Sequence, residues 1–150
     1  MSELRELYQS VILDHHRHPR NQGVPEGANR KASGVNPLCG DKVTVHLAVA
    51  DDVVRAAGFE GSGCAISTAS ASLMTQAIQG RSLAEVERLF KRFRELVTSK
   101  AGAEAERDGL GKLAVFGGVR EFPVRVKCAT LAWHAMRSAL RAAGETVSTE

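Results

Sequence analysis

Aromatic side chains are scarce in this chain: five Phe, one Tyr and one Trp, 5% of 150 residues. That argues against a single-strand nucleic-acid platform, which stacks bases on aromatics along a basic groove. No apolar run approaches the ~20 residues of a membrane-spanning helix. The start, Met1-Ser2-Glu3-Leu4-Arg5-Glu6-Leu7, is charged throughout and does not read as a secretory signal. Cysteine is also sparse. Three is an odd number, none forms a CxxC pair, and the gaps of 25 and 64 residues match no compact zinc-finger spacing. A disulfide framework is excluded, and a reducing, cytoplasmic setting with free thiols is expected. There is no P-loop, dinucleotide fingerprint, nucleophile elbow or HExxH sequence.

What remains is ordinary for a globular protein: 43% hydrophobic and 25% charged residues, with a formal charge of +3. Lys and Arg are interspersed with Asp and Glu, as on a solvated surface suited to an acidic protein partner; neither nucleic acid nor membrane is expected as a partner. The length predicts one domain over residues 1–150, frayed at 1–2 and 144–150, with a core built on Leu, Val, Ala and Ile.

Leu4, Leu7, Tyr8, Val11 and Ile12 recur at helical spacing over residues 3–15, and His15-His16-Arg17-His18-Pro19 ends that helix. A short strand is placed at 31–36. Val43 to Val49 alternates strictly and predicts a half-buried strand; Asp51-Asp52 turns into a second strand over Val53–Glu60. A small-residue helix runs from Cys64 to Gln79. Ser82 and Glu85 form a capping box before a helix bearing Leu83, Val86, Leu89, Phe90, Phe93 and Val97. Residues 98–110 read as a surface excursion or a short extra helix, 110–122 fit no single element, Pro123 leads a short extended piece, and Cys128 opens a final helix to about Ala143. The fold class is α+β: a small antiparallel three-stranded sheet with helices packed on it.

The thiols carry the chemistry. A lone free cysteine usually behaves as a small core hydrophobe, yet none of these lies in an apolar run. Cys39 sits in Asn36-Pro37-Leu38-Cys39-Gly40-Asp41, Cys64 follows Gly61-Ser62-Gly63, and Cys128 follows Arg125-Val126-Lys127. Three thiolates and Asp41 can close a tetrahedral metal site. The same atoms can hold an iron–sulfur cluster or carry a sulfur atom. Gly40, Gly61 and Gly63 let backbone approach closely. Arg125, Lys127 and Lys42 are placed to offset surplus negative charge. His15, His16 and His18 read as a helix C-terminus complementing the dipole, and His46 and His134 have no evident ligand company.

Together, Asn-Pro-Leu-Cys-Gly-Asp, the Gly61–Met74 stretch and the third cysteine before the last helix resemble the IscU/NifU-N family of iron–sulfur cluster assembly proteins, from the first helix to about residue 143. Scaffold members carry His immediately before the last Cys; this chain has Lys127 there, and a longer segment over residues 94–120. Both features resemble the SufU branch. That resemblance implies Zn2+ on Cys39, Asp41, Cys64 and Cys128, with Cys39 accepting persulfide sulfur from a SufS-type cysteine desulfurase and Arg125 in electrostatic support. The sulfur passes onward to a SUF scaffold complex or a thiol reductant. A scaffold building a [2Fe–2S] cluster on the same cysteines is the alternative it implies.

Overall fold

The alternating stretch that begins at Val43 forms the centre of the sheet. In the computed structural model, which describes residues 2–98, 110–141 and 147–148, strands β1 (Arg30–Asn36), β2 (Asp41–Ala50) and β3 (Val53–Ser62) form an antiparallel meander. Asp51 and Asp52 make the tight turn between β2 and β3, both with positive φ (54° and 58°). This left-handed pair suits the twist of a two-residue hairpin, and Asp tolerates it better than bulkier residues. A two-residue strand β4 (Val147–Ser148) adds in parallel to β1, giving the order β3-β2-β1-β4. This pairing falls within the stretch 144–150 expected to fray, of which only 147–148 are described; residues 142–146 and 149–150 lie outside the described set.

One sheet face is covered by helices. Helix α4 (Pro123–Leu140) lies across β1 and β2, α2 (Ala65–Ile78) packs on β3 and α4, and α1 (Ser2–Arg17) packs on α2. Ala32, Val43, Val45, Leu47, Ala57 and Phe59 supply the sheet's buried side. The small residues of α2 allow close approach to α4: the Ser70 hydroxyl donates to the Ala129 carbonyl and accepts from Trp133 Nε1–H at 3.1 Å. Helix α3 (Leu83–Thr98) starts at the capping box read from sequence, with Ser82 N–H donating to Glu85 Oε1 at 2.9 Å and Glu85 N–H to Ser82 Oγ at 3.1 Å. The few aromatics are concentrated here. Trp133 stacks on Phe93 with centroids 4.5 Å apart, Phe116 meets Phe93 edge-on, and Phe90 flanks Trp133. Large rings bury much area per residue, so a handful suffices for this corner of the core.

Two expectations change at the last helix. It begins at Pro123, not Cys128, and no extended piece precedes it. Proline's fixed φ and missing N–H suit the first helical position, and the N–H groups of Arg125 and Val126 bond to the Phe122 carbonyl. Gly111–Glu121, ambiguous in sequence, is a 3-10 segment packed on α3 and α4. Residues 99–109, most of the expected surface excursion, lie outside the described set.

The histidines take partners that the sequence did not show. His15 lies in the last turn of α1, at the helix end expected, and its side chain turns inward: it is 1% exposed, between α1 and α2, with Nδ1 2.6 Å from Ser72 Oγ. His46 is buried on β2 and bonds Glu60 Oε1 at 2.8 Å. Burial, reinforced by the Arg20 charge, holds His15 below the usual imidazole range, and burial with Arg94 and Arg137 does the same for His134. In the folded chain both stay neutral further into acid than an ordinary imidazole does. As pH falls through the ordinary histidine range the unfolded chain takes up protons that the folded chain resists, so stability is lost on that side. We expect the thermal midpoint to fall from pH 7 to pH 5.5, and to fall less in His15→Gln. Equal slopes in the two proteins overturn this.

Candidate metal centre

The β1–β2 hairpin ends on the pair Asn36 and Asp41, leaving Pro37 to Gly40 as its tip. Cys39 N–H donates to the Asn36 carbonyl at 3.2 Å and Leu38 N–H to Asn36 Oδ1 at 3.2 Å, which fold the tip back. Gly40, at φ +71°, makes the left-handed step that returns the chain to Asp41. Asp41 is 2% exposed at the start of β2, while Cys39 is half-buried and Leu38 is 67% exposed.

Cys64 arrives from the other side as the N-cap of α2. Its Sγ accepts from Ser67 N–H at 3.5 Å, the place a serine or aspartate oxygen usually takes. Asp41 Oδ1 accepts from Cys64 N–H at 2.9 Å, and Cys64 Sγ lies 3.7 Å from Asp41 Oδ2. Cys128 is the sixth residue of α4, in its second turn, and is 1% exposed. Its Sγ–H points to Cys39 Sγ at 3.4 Å. Donor atoms of Cys39, Asp41 and Cys128 all lie within 4.8 Å of one another. The structure therefore gathers Cys39, Asp41 and Cys128 closely, and joins Cys64 through Asp41. Arg125 lies one turn before Cys128 and is exposed; Lys42 is exposed on β2, and Lys127 is half-buried. Among the described residues no histidine joins the cluster.

Burial pushes the Cys128 thiol far above the ordinary thiol range, and its interactions with Cys39, Asp41 and Cys64 push the same way. Crowded acids in a desolvated site keep their protons because a second negative charge is costly. A divalent cation reverses that balance. The donor set, soft sulfur with one carboxylate, fits a zinc-type ion.

Sequence reasoning missed Asn36. It is fully buried, its carbonyl and Oδ1 shape the tip, and its Nδ2 has no acceptor among the described residues. The available signal was its place at the head of the Asn36–Asp41 hexapeptide.

A profile of the "NifU-like N terminal domain" matches residues 7–129. The chain is 40% identical over 135 residues to the "Zinc-dependent sulfurtransferase SufU" of Bacillus subtilis, covering 90% of each. It is 37% identical over 141 residues to the "Iron-sulfur cluster assembly scaffold protein IscU" of Streptococcus pyogenes, covering 94% of this chain and 87% of the relative. Among solved structures, a "Putative iron-sulfur cluster assembly scaffold protein for SUF system" from Fervidobacterium islandicum superposes with a TM-score of 0.80 at 32% identity, covering 90% of this chain and 97% of that one. A match across most of the chain, together with the α+β fold, leads to one conclusion: the chain belongs to the NifU-like N-terminal domain family of iron–sulfur cluster assembly proteins.

Proposed function

We propose that this protein is a zinc-dependent sulfurtransferase in which Cys39 accepts persulfide sulfur from a SufS-type cysteine desulfurase and passes it on for iron–sulfur cluster assembly. One observation carries the reading. Of the two thiols gathered with Asp41, Cys39 alone sits on a half-exposed hairpin tip, whereas Cys128 is buried. Leu38 beside it, and Phe122 and Val124 at the start of α4, are exposed apolar residues that a protein partner can cover.

Cys39, Asp41, Cys64 and Cys128 would hold the metal. Bound zinc supplies stabilisation of thiolate at neutral pH. Cys39 Sγ, as thiolate, attacks the outer sulfur of the donor's persulfide. The donor's S–S bond breaks, a new S–S bond forms on Cys39, and the donor's cysteine leaves as thiolate with the electron pair. No net oxidant or reductant is consumed. Release of the sulfur from Cys39 then takes a thiol reductant or a downstream SUF scaffold complex. Asp41 Oδ1 accepts from the Cys64 N–H, which holds the carboxylate at the site. Arg125, exposed near the start of α4, provides positive charge for an approaching persulfide anion.

The scaffold reading, a [2Fe–2S] cluster on the same residues, draws on the printed name of the Streptococcus relative. Lys127 stands against it, occupying the place of the histidine in scaffold members. The deciding experiment is cysteine-desulfurase turnover with zinc-loaded chain, zinc-stripped chain and no chain. We expect a large gain that requires zinc. No gain, with a cluster forming on the stripped chain when iron is supplied, would move the assignment to the scaffold.

A further inference from the structure

We propose that the groove between α3 and α4 is a docking site for an acidic segment of a protein partner, held away from the thiol cluster.

The groove encloses about 510 Å³ and is lined by Arg88, Lys91, Arg94 and Arg137, with Glu87 and Glu95 among them and the buried Phe90 between the two helices. Helix α3 turns its apolar side into the core and leaves Arg88, Lys91 and Arg94 exposed. Residues three apart are neighbours on a helix surface, so these cations form one row. Extended to Thr98, the last lining residue of α3, the row is about 15 Å long at ~1.5 Å per residue. None of the three cations forms an ion pair among the described residues.

The opposite wall is α4. Arg137 and, one turn on, Arg141 share a single carboxylate: Glu87 Oε2 lies 3.5 Å from Arg137 Nε, and Glu87 Oε1 lies 3.2 Å from Arg141 Nε. One carboxylate between two guanidinium groups leaves positive charge uncompensated. The Arg137 guanidinium carbon stands 5.6 Å from the Phe90 ring centroid, which holds the group in place. Its Nε is buried without a hydrogen-bond acceptor among the described residues, yet 33% of the side chain is exposed, so the exposure falls on the rest of it. A guanidinium so placed can take a carboxylate through two N–H groups at once. His134 meets Phe90 edge-on beside these groups, and burial together with the Arg94 and Arg137 charges holds it below the usual imidazole range. The two walls therefore act on one space.

Two features identify the occupant. The cations stand in rows and not around a point, which suits carboxylates carried along a polypeptide better than one compact anion. Glu87 and Glu95 lie among the cations, where they repel a dense polyanion; a polypeptide can set an amide or a lysine opposite them. Arg137 is also nine residues beyond Cys128 on α4, about 14 Å along the helix axis. A partner seated there leaves the Cys39 tip open.

The test titrates the nitrogen-15-labelled full chain with a Glu-rich helical peptide of about 10 residues, the length of the groove. A matched Lys-rich peptide, pyrophosphate and a short DNA duplex are the comparison probes. We expect amide shifts confined to residues 87–98 and 134–141, and binding that weakens from about 50 mM to about 200 mM salt. The double variant Lys91→Glu/Arg94→Glu changes exposed residues only, so it should keep its thermal midpoint and bind at least about 10-fold more weakly. Arg137→Lys keeps the charge but loses the planar fork, and should bind about 3-fold more weakly. No binding of the acidic peptide, equal binding of the Lys-rich one, shifts spread over the whole surface, or unchanged affinity in both variants overturns the proposal. So does tighter binding of pyrophosphate or DNA at the same amides, or self-association that the double variant abolishes. If replacing Glu104, Glu106 and Asp108 by their amides moves the same signals without any peptide, the chain's own acidic stretch is the occupant and the proposal fails. Should the double variant not fold, the wild-type shifts and Arg137→Lys decide.

Discussion

Cys39→Ser is expected to reduce covalent sulfur uptake to background while leaving the fold in place. A serine hydroxyl is not ionised near neutral pH and does not attack a persulfide. The side chain is half-buried on a hairpin tip, so metal-free stability should shift by no more than about 0.5 kcal/mol, as for substitutions outside the core. The readouts are the mass of the chain after incubation with a persulfide-loaded desulfurase, and the thermal midpoint of the metal-stripped protein. Cys128→Ser provides the contrast. Cys128 is buried against Cys39, so that variant should lose metal yet keep a nucleophile at the tip. Sulfur uptake by Cys39→Ser at the wild-type rate would place the acceptor elsewhere.

Gly61→Ala is expected to be the most destabilising single-methyl change in the described structure. Gly61 has φ +141°, and a Cβ there would lie 2.1 Å from the Lys42 carbonyl oxygen and 2.9 Å from Val43 Cα. Both obstacles are backbone of the central strand, so no rotamer relieves them. The conformation alone costs about 1–3 kcal/mol; with the overlap the loss should exceed about 4 kcal/mol, in the rare tail of point substitutions. For a chain of this size that lowers the midpoint by roughly 8–16 °C. Gly63→Ala separates site from sheet. Its Cβ would meet Asp41 Oδ1 at 2.8 Å and Ser67 Oγ at 3.2 Å, side-chain atoms that can yield. That variant should fold, hold metal less tightly because Asp41 is displaced, and, on the sulfurtransferase reading proposed above, stimulate a cysteine desulfurase less than wild type. If Gly61→Ala melts with wild type, the close approach of β3 to β2 is not as described.

Much of the architecture was legible because local physics and tertiary structure agree. The period-two run from Val43 to Val49, the Asp51-Asp52 turn and the Ser82–Glu85 box each contain their own reason for a strand, a turn and a helix start. Where the reading missed, the reason was not local. Cys128 looked like a helix start because a proline lay before it, but a proline in the first turn extends a helix backwards as readily as it ends one. His15 sits at the helix end that the sequence indicates, but its burial against Ser72, 57 residues away, had no local signal. His46 had no evident company in the sequence because its partner Glu60 belongs to the next strand.

The sequence by itself supplied the candidate ligand atoms, because three thiols outside apolar runs and a carboxylate two residues from one of them are chemical identities that folding does not change. It also placed the start of α2 at Cys64, but not the start of α4, which lies a turn and a half before Cys128. Only the tertiary structure decided which atoms meet. Cys39 and Cys128 are 89 residues apart and touch because α4 lies across β1 and β2. Cys64 meets Asp41 because β3 delivers the start of α2 to the end of the sheet where β2 begins. Only the fold, too, separated a half-buried thiol from a fully buried one. Burial and hydrogen-bond satisfaction belong to the packed chain as a whole, and no local run of residues specifies them.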